Sequence, residues 1–400
     1  MNLLHKFRTN LPKNSCRKVV IVEFSSHYFS VQQLAFLFQE DFEVEFCFRL
    51  ADGSAGWREM FDGIPEYRSL SPSSLVLGNR LRRLPGGRLV ARAVADLLFL
   101  SKALHSGFFG KKIFISTGPE NRGVTGILFF SLIVFLFDDV MLNVRDARFY
   151  RECLNADRFP DFRSRILGRA LRRITFVSFE TDTVRNSMVP EFWPDAQGHV
   201  IYSKFSDFSS PVDLATVAPD PWKLRIGLLG TLSRERRDYS VVLGALRTLT
   251  PEQLAKISFT VLSGVPGDAG RGILSELSAL VSEVHWRVSL PESDLLEIGQ
   301  SCDYVLAPLK AEFGYGRLKG SGAIGDALVL RKRLIWPANC DPAGEFHLIS
   351  EYYRDEQQLG MIFLDLLAGD LNVMSRARDY IFDDFSSKSA RTALKQTWWA

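Results

Sequence analysis

Short apolar runs, each followed by a longer stretch with helical spacing of its apolar positions, organise the first half of the chain. The runs are RKVVIVEF (17–24), EVEFCFR (43–49), KKIFIS (111–116), DVMLNVR (139–145), ITFVSF (174–179) and HVIY (199–202). Several are almost continuously apolar rather than alternating, the mark of strands covered on both faces in a parallel sheet. Strands alternating with helices predict a doubly wound α/β domain. No short-period repeat interrupts the pattern.

The pattern lapses over FSDFSSPVDLATVAPDPW, where Ser, Pro and Asp dominate and a linker is expected. It then restarts with KLRIGLLG (223–230), ISFTVLSG (257–264), VHWRV (284–288), DYVLAP (303–308) and RLIWP (333–337). The expected organisation is therefore one Rossmann-like domain over 1–205, a linker over 206–222 and a second Rossmann-like domain over 223–385. A terminal helix over 386–400 is expected to pack back across the linker. Two such α/β domains facing each other leave a cleft at the carboxyl ends of their strands, where ligands of parallel sheets bind.

Composition narrows the functional classes without choosing one. The 46% hydrophobic and 24% charged residues are those of a folded globular chain. A net charge of +3 is too small to argue for nucleic acid, but its distribution is uneven. Through Asp213 there are 28 Lys and Arg against 23 Asp and Glu; beyond it, 21 against 23. Five cysteines without a CxxC pair, and six scattered histidines, point to reduced thiols, a cytoplasmic location and no zinc site. The opening MNLLHKFRTNLPKNSCRK lacks the apolar centre of a signal peptide. The stretch ILFFSLIVFLF (127–137) is too short to cross a bilayer and predicts a buried helix.

Candidate chemistry gathers at the strand ends of the second domain. After RIGLLG, ending in Gly230, comes TLSRERRDY with Arg234, Arg236 and Arg237. After DYVLAP comes GYGRLKGSGAIGDALVLRKRLIWP (314–337), with five glycines between Gly314 and Gly325. Ser321 is a suitable helix N-cap, which predicts a helix from about 322 to 331 whose first turn holds free N–H groups. Gly320, Gly322 and Gly325 would clear the approach of a phosphate to that turn, and Lys319 would add a formal charge. The same residues also suit a tight helix–strand connection, and the arginines a solvated face.

Four stretches, IGLLGTLSRERRDYSVVLGAL, VLSGVPGD, LLEIGQSCDYVLAP and KGSGAIGDALVLRKRLIWP, follow one another in an order and spacing similar to the nucleotide-sugar domain of GT-B glycosyltransferases, especially family 4. LNVRDARFYRE and FVSFETDTVRNSM resemble the acceptor domain more loosely. The resemblance implies that Arg236 matches the lysine of the family's donor-phosphate motif, while Thr231 stands at its arginine position. It also implies that Asp326 matches the second of two glutamates eight residues apart, which touches the ribose. Leu318 occupies the place of the first, and Glu312 is the nearest carboxylate. The implied activity is transfer of a sugar from a nucleotide diphosphate sugar to a glycan or lipid-linked glycan in cell-surface polysaccharide biosynthesis, with retention of configuration. A nucleotide-sugar epimerase on a similar fold and a non-catalytic binding relative are the alternatives.

The first domain should supply the acceptor side from its own strand ends. His27 follows the first strand, Glu120 the third and Asp146 the fourth. A base among them must reach the acceptor hydroxyl. Each also has a plain structural reading: a loop histidine, a helix-start acid, and a partner for Arg148 or Arg151. No Asp-x-Asp pair occurs in the chain, so no metal cofactor is expected; fixed cations would stabilise the departing diphosphate. Finally, no acid falls between Tyr67 and Ala95, where Arg68, Arg80, Arg82, Arg83, Arg88 and Arg92 lie, and RSRILGRALRRI (163–174) is similarly basic. Such segments suit either peripheral contact with an anionic membrane or ordinary solvated helices.

Overall fold

The computed structural model describes residues 18–23, 28–48, 112–118, 124–155, 162–207, 223–263, 267–287, 292–369 and 379–399. The chain forms two compact units. One comprises residues 1–179, 185–201 and 390–400; the other comprises 180–184 and 202–389. Most of the expected linker, 208–222, lies outside the described residues.

The first unit is built on β1 (Lys18–Glu23), β2 (Glu43–Phe48), β3 (Lys112–Thr117), β4 (Val140–Val144), β5 (Phe176–Phe179) and β6 (Gln197–Val200). These pair in the order β2-β1-β3-β4-β5-β6, every neighbour parallel. Helices α1 (Tyr28–Phe38), α2 (Val124–Leu136), α3 (Ala147–Leu154), α4 (Phe162–Arg172) and α5 (Asp182–Phe192) fill the connections. The continuous apolar runs explain the arrangement: Val19, Val20, Ile21, Val22, Ile113, Phe114, Ile115, Met141 and Leu142 are all buried. Burying each such side chain contributes about 1.5–3 kcal/mol. The terminal residues 390–400 belong to this unit: Trp398 packs its ring on Phe38 and Phe114, and Trp399 sits 5.2 Å from Phe42.

One expectation holds only in part. The apolar stretch around 127–137 forms α2, but the helix is not buried all round, because Leu128, Phe135 and Leu136 are exposed. Among the described residues, no helix is long and apolar enough to cross a membrane.

The second unit has β7 (Leu224–Leu229), β8 (Ile257–Leu262), β9 (Glu283–His285), β10 (Tyr304–Leu306), β11 (Arg333–Pro337) and β12 (Ser350–Tyr353). Between them lie α6 (Tyr239–Arg247), α7 (Pro251–Leu254), α8 (Gly267–Ser278), α9 (Glu292–Gln300), α10 (Gly322–Leu330) and α11 (Glu356–Ala368); α12 (Ser387–Lys395) follows, and its residues from Ala390 onward belong to the first unit. The order is β12-β11-β10-β7-β8-β9, again wholly parallel. Its core joins Ile226 and Leu228 of β7 to Phe259, Leu306, Ile335, Val242, Leu246 and Phe363. The chain steps outward from β7 through β8 to β9, then returns to β7's other side at β10. That reversal makes the C-terminal ends of β7 and β10 the topological switch point, where a doubly wound sheet opens a crevice.

Candidate functional site

Strand β7 ends at Leu229, and Gly230 turns the chain with φ +74°, a conformation that side chains disfavour. A Cβ there would collide with the Arg237 guanidinium, so this close approach also requires glycine. Arg237 Nε donates to the Thr231 carbonyl at 3.0 Å, and Ser263 Oγ donates to the Gly230 carbonyl at 2.7 Å. The loop is then joined to the one following β10. Asp238 N donates to Pro308 O at 2.7 Å and Lys310 N to Arg236 O at 3.2 Å, around a bridge between Arg237 and Leu309.

That bridge separates the arginines. Arg236 is exposed, and Arg234 is exposed and paired with Glu276. Arg237 is half-buried; burial is the first cause lowering its pKa, and Tyr239, Tyr315 and Asp326 oppose the shift. Its Nη1 is buried without a hydrogen-bond partner, as is the Tyr239 hydroxyl beside it. Burial also raises the pKa of Tyr239, keeping that hydroxyl a donor. Two buried donors without acceptors are costly unless something completes them.

The glycine-rich stretch folds as a compact loop before α10. Gly314 (φ +79°) and Gly316 (φ +71°) make its turns, and Lys319 N returns to Gly314 O at 3.2 Å. Lys319 Nζ lies 4.4 Å from the centre of the buried Tyr315 ring, a cation–π contact. Ser321 caps α10 as the sequence predicts: its backbone is extended and its Oγ accepts from Ala323 N at 3.2 Å.

The glycines divide. A Cβ on Gly320 would strike the buried Glu180 side chain, and one on Gly325 would strike Ser203 and Lys204, so these two serve close packing. Only Gly322 of the three faces open space. Asp326 is engaged by the protein itself, with its Oδ1 2.5 Å from Lys204 Nζ and both side chains largely covered. Glu312 is exposed in the 3-10 turn Ala311–Phe313, 3.9 Å from Lys310.

Of the first-domain candidates, His27 and Glu120 lie outside the described residues. Asp146 caps α3 by accepting from Arg148 N at 3.2 Å, and its carboxylate is also held by the Arg148 side chain. Sequence reasoning passed over Glu180 and Lys204. Both stand just past strands β5 and β6, and that position was the available signal. A separate groove of about 560 Å³, lined by Asp341, Tyr352, Arg354 and Gln358, opens beside β12 and shares no lining residue with the switch point.

No protein-family model and no curated protein sequence matches the chain. Solved structures do. The N-terminal domain of Candida albicans trehalose-6-phosphate phosphatase superposes with a TM-score of 0.62 at 12% identity, covering 97% of this chain and 98% of that one. Sucrose-phosphate synthase from Thermosynechococcus elongatus gives 0.60 at 14% identity, covering 96% and 98%. The fold is GT-B. UDP-GlcNAc 2-epimerase from Neisseria meningitidis, bound to UDP-GlcNAc, gives 0.57 at 14% identity over 95% and 99%. The GT-B fold thus carries both of its Rossmann-like sheets here, with the switch point of the second described in full.

Proposed function

We propose that the protein is a glycosyltransferase that moves a sugar from a nucleotide diphosphate sugar to a glycan or lipid-linked glycan, with retention and without a metal. The observation that carries the reading is Arg237, turned inward at the β7–β10 switch point with Nη1 lacking a partner. Asp326 and Tyr315 both act electrostatically on Arg237, which supports a site shared with α10 and its loop. A diphosphate there would receive a charge-assisted bond from Arg237 and meet the positive end of α10 at Gly322, whose neighbours Ala323 N and Ile324 N already donate to Ser321. As the sugar–oxygen bond breaks, negative charge accumulates on the leaving phosphate, and fixed donors stabilise it without reorganising. Membership of family 4 and a role in cell-surface polysaccharide synthesis belong to the same proposal, supported by the four motifs in order.

Within this reading Arg237, rather than Arg236, grips the phosphate. Arg237→Ala should weaken nucleoside diphosphate binding about ten- to a hundredfold, from a contact of about 1.5–3 kcal/mol. Arg236→Ala should change it little, and transfer should persist after exhaustive treatment with EDTA. Calorimetry showing equal affinity in both variants would remove the phosphate site. Loss of activity in EDTA with recovery on adding magnesium would refute the metal-free mechanism. Superposition on an epimerase supports a second reading, which incubation of donor alone separates: an isomerised sugar favours it.

A further inference from the structure

Two stripes of matching spacing lie side by side on the first unit. Along α2, Leu128, Leu132, Phe135 and Leu136 recur at i, i+4, i+7 and i+8, one face of a helix. Leu128, Phe135 and Leu136 are 45%, 42% and 47% exposed, where a helix in water normally presents polar groups. Along α4 and just past it, Arg165, Arg169, Arg172 and Arg173 repeat the same intervals, and all four are exposed. The two helices pack together, and the Arg173 guanidinium lies 5.4 Å from the centre of the Phe135 ring, joining the stripes.

Neither helix contains an acid. Among the described residues, Asp138 lies 3.9 Å from Arg173 and Asp139 lies 3.9 Å from Lys112. Arg172 also donates to the Leu154 carbonyl at 3.0 Å. Arg165 and Arg169 form no ion pair among the described residues.

We propose that this two-helix face docks on an anionic lipid bilayer. A bilayer surface is layered, with phosphate outside and hydrocarbon beneath, and parallel basic and apolar stripes match that layering. At 13 residues α2 is about 20 Å long and carries its stripe over about 12 Å, a length suited to lying in the boundary rather than crossing it. The inference rests on the proposed function only in giving a lipid-linked acceptor as the reason to be there. Vesicle binding requires no turnover, so the two can fail separately.

The test is sedimentation of the full chain with phosphatidylcholine vesicles, with and without phosphatidylserine, over a range of salt. Binding should require phosphatidylserine and weaken as salt rises. Arg165→Glu with Arg169→Glu should lower partitioning roughly tenfold or more. Phe135→Ser with Leu136→Ser should lower it too, with circular dichroism and nucleotide affinity unchanged. Equal binding to neutral vesicles, no binding, or unaltered binding in both double variants would overturn the proposal. So would loss of binding only when Arg82 and Arg83, outside the described residues, are reversed to Glu. A dimer in sedimentation velocity that Phe135→Ser with Leu136→Ser dissolves would assign the face to a second copy instead.

Discussion

The start of α3 and the start of α10 are both capped by a side chain from the residue just before the helix, yet they present opposite faces to an anion. Asp146 puts a carboxylate over the first turn of α3, and Arg148 closes over that carboxylate. The positive end of the helix is answered within the chain. Ser321 accepts from Ala323 N through its hydroxyl and from Ile324 N through its carbonyl, adds no charge, and leaves Gly322 facing open space. A third helix start, that of α5, is answered from a distance: Glu345 accepts from Thr183 N at 3.3 Å. A helix N-terminus becomes an anion site only where the protein has left its charge unanswered.

The strongest way to break this contrast is to make α10 resemble α3. Ser321→Asp keeps a good cap but places a carboxylate beside the proposed diphosphate. It should weaken nucleoside diphosphate binding by roughly a hundredfold, since like charges a few ångströms apart near a surface repel by several kcal/mol. Ser321→Ala, which loses the cap without adding charge, is the control and should change affinity far less. Equal losses in the two variants, measured by calorimetry, would show that only the cap matters.

The α5 arrangement sharpens the comparison through pH. Burial pushes the Glu345 carboxyl up to about 7, against the pull of the backbone donors. The folded state therefore holds a proton between pH 4.5 and about 7 that the unfolded chain has released. Stability from this group is fully present at the acid end and falls as pH rises through that window. Glu345→Gln should flatten the dependence, leaving the variant about 2 kcal/mol more stable than the parent at pH 8 and little changed at pH 5. Urea midpoints across the range would read this directly.

The smallest effect is expected at α3. Asp146→Ala should cost about 1 kcal/mol of stability by removing a cap, visible as a modest drop in Tm. Nucleoside diphosphate affinity should not move. A loss of transfer with full stability would instead restore Asp146 as a participant in the reaction.

How much of this was legible in the sequence depends on the range of each interaction. KVVIVE and RLIWP announce strands because their burial is written in consecutive apolar residues, and RLIWP has the bounds read for it. SEYY of β12 went unread: four residues with Ser and Glu among them, made a strand by pairing to β11. The Ser321 cap was legible because capping is local. That Arg237 turns inward while Arg236 does not was illegible, since it follows from the bridge to Leu309 in another loop. Equally, no local pattern shows that Glu180 and Lys204 account for Gly320 and Gly325. The mixture of apolar positions in α2 hid its outward stripe, because a helix apolar on every side gives no periodic signal.

The Lys204–Asp326 pair has a consequence for the heat of binding. It fixes the second turn of α10, while Glu180 against Gly320 and the Ser321 cap fix the approach to the first. An anion arriving at Gly322, as proposed, would meet a helix start already held in place. Little chain or side-chain freedom would remain to be lost, so the proposed association should carry a small ordering entropy, and an enthalpy measured by calorimetry would report the new contacts themselves.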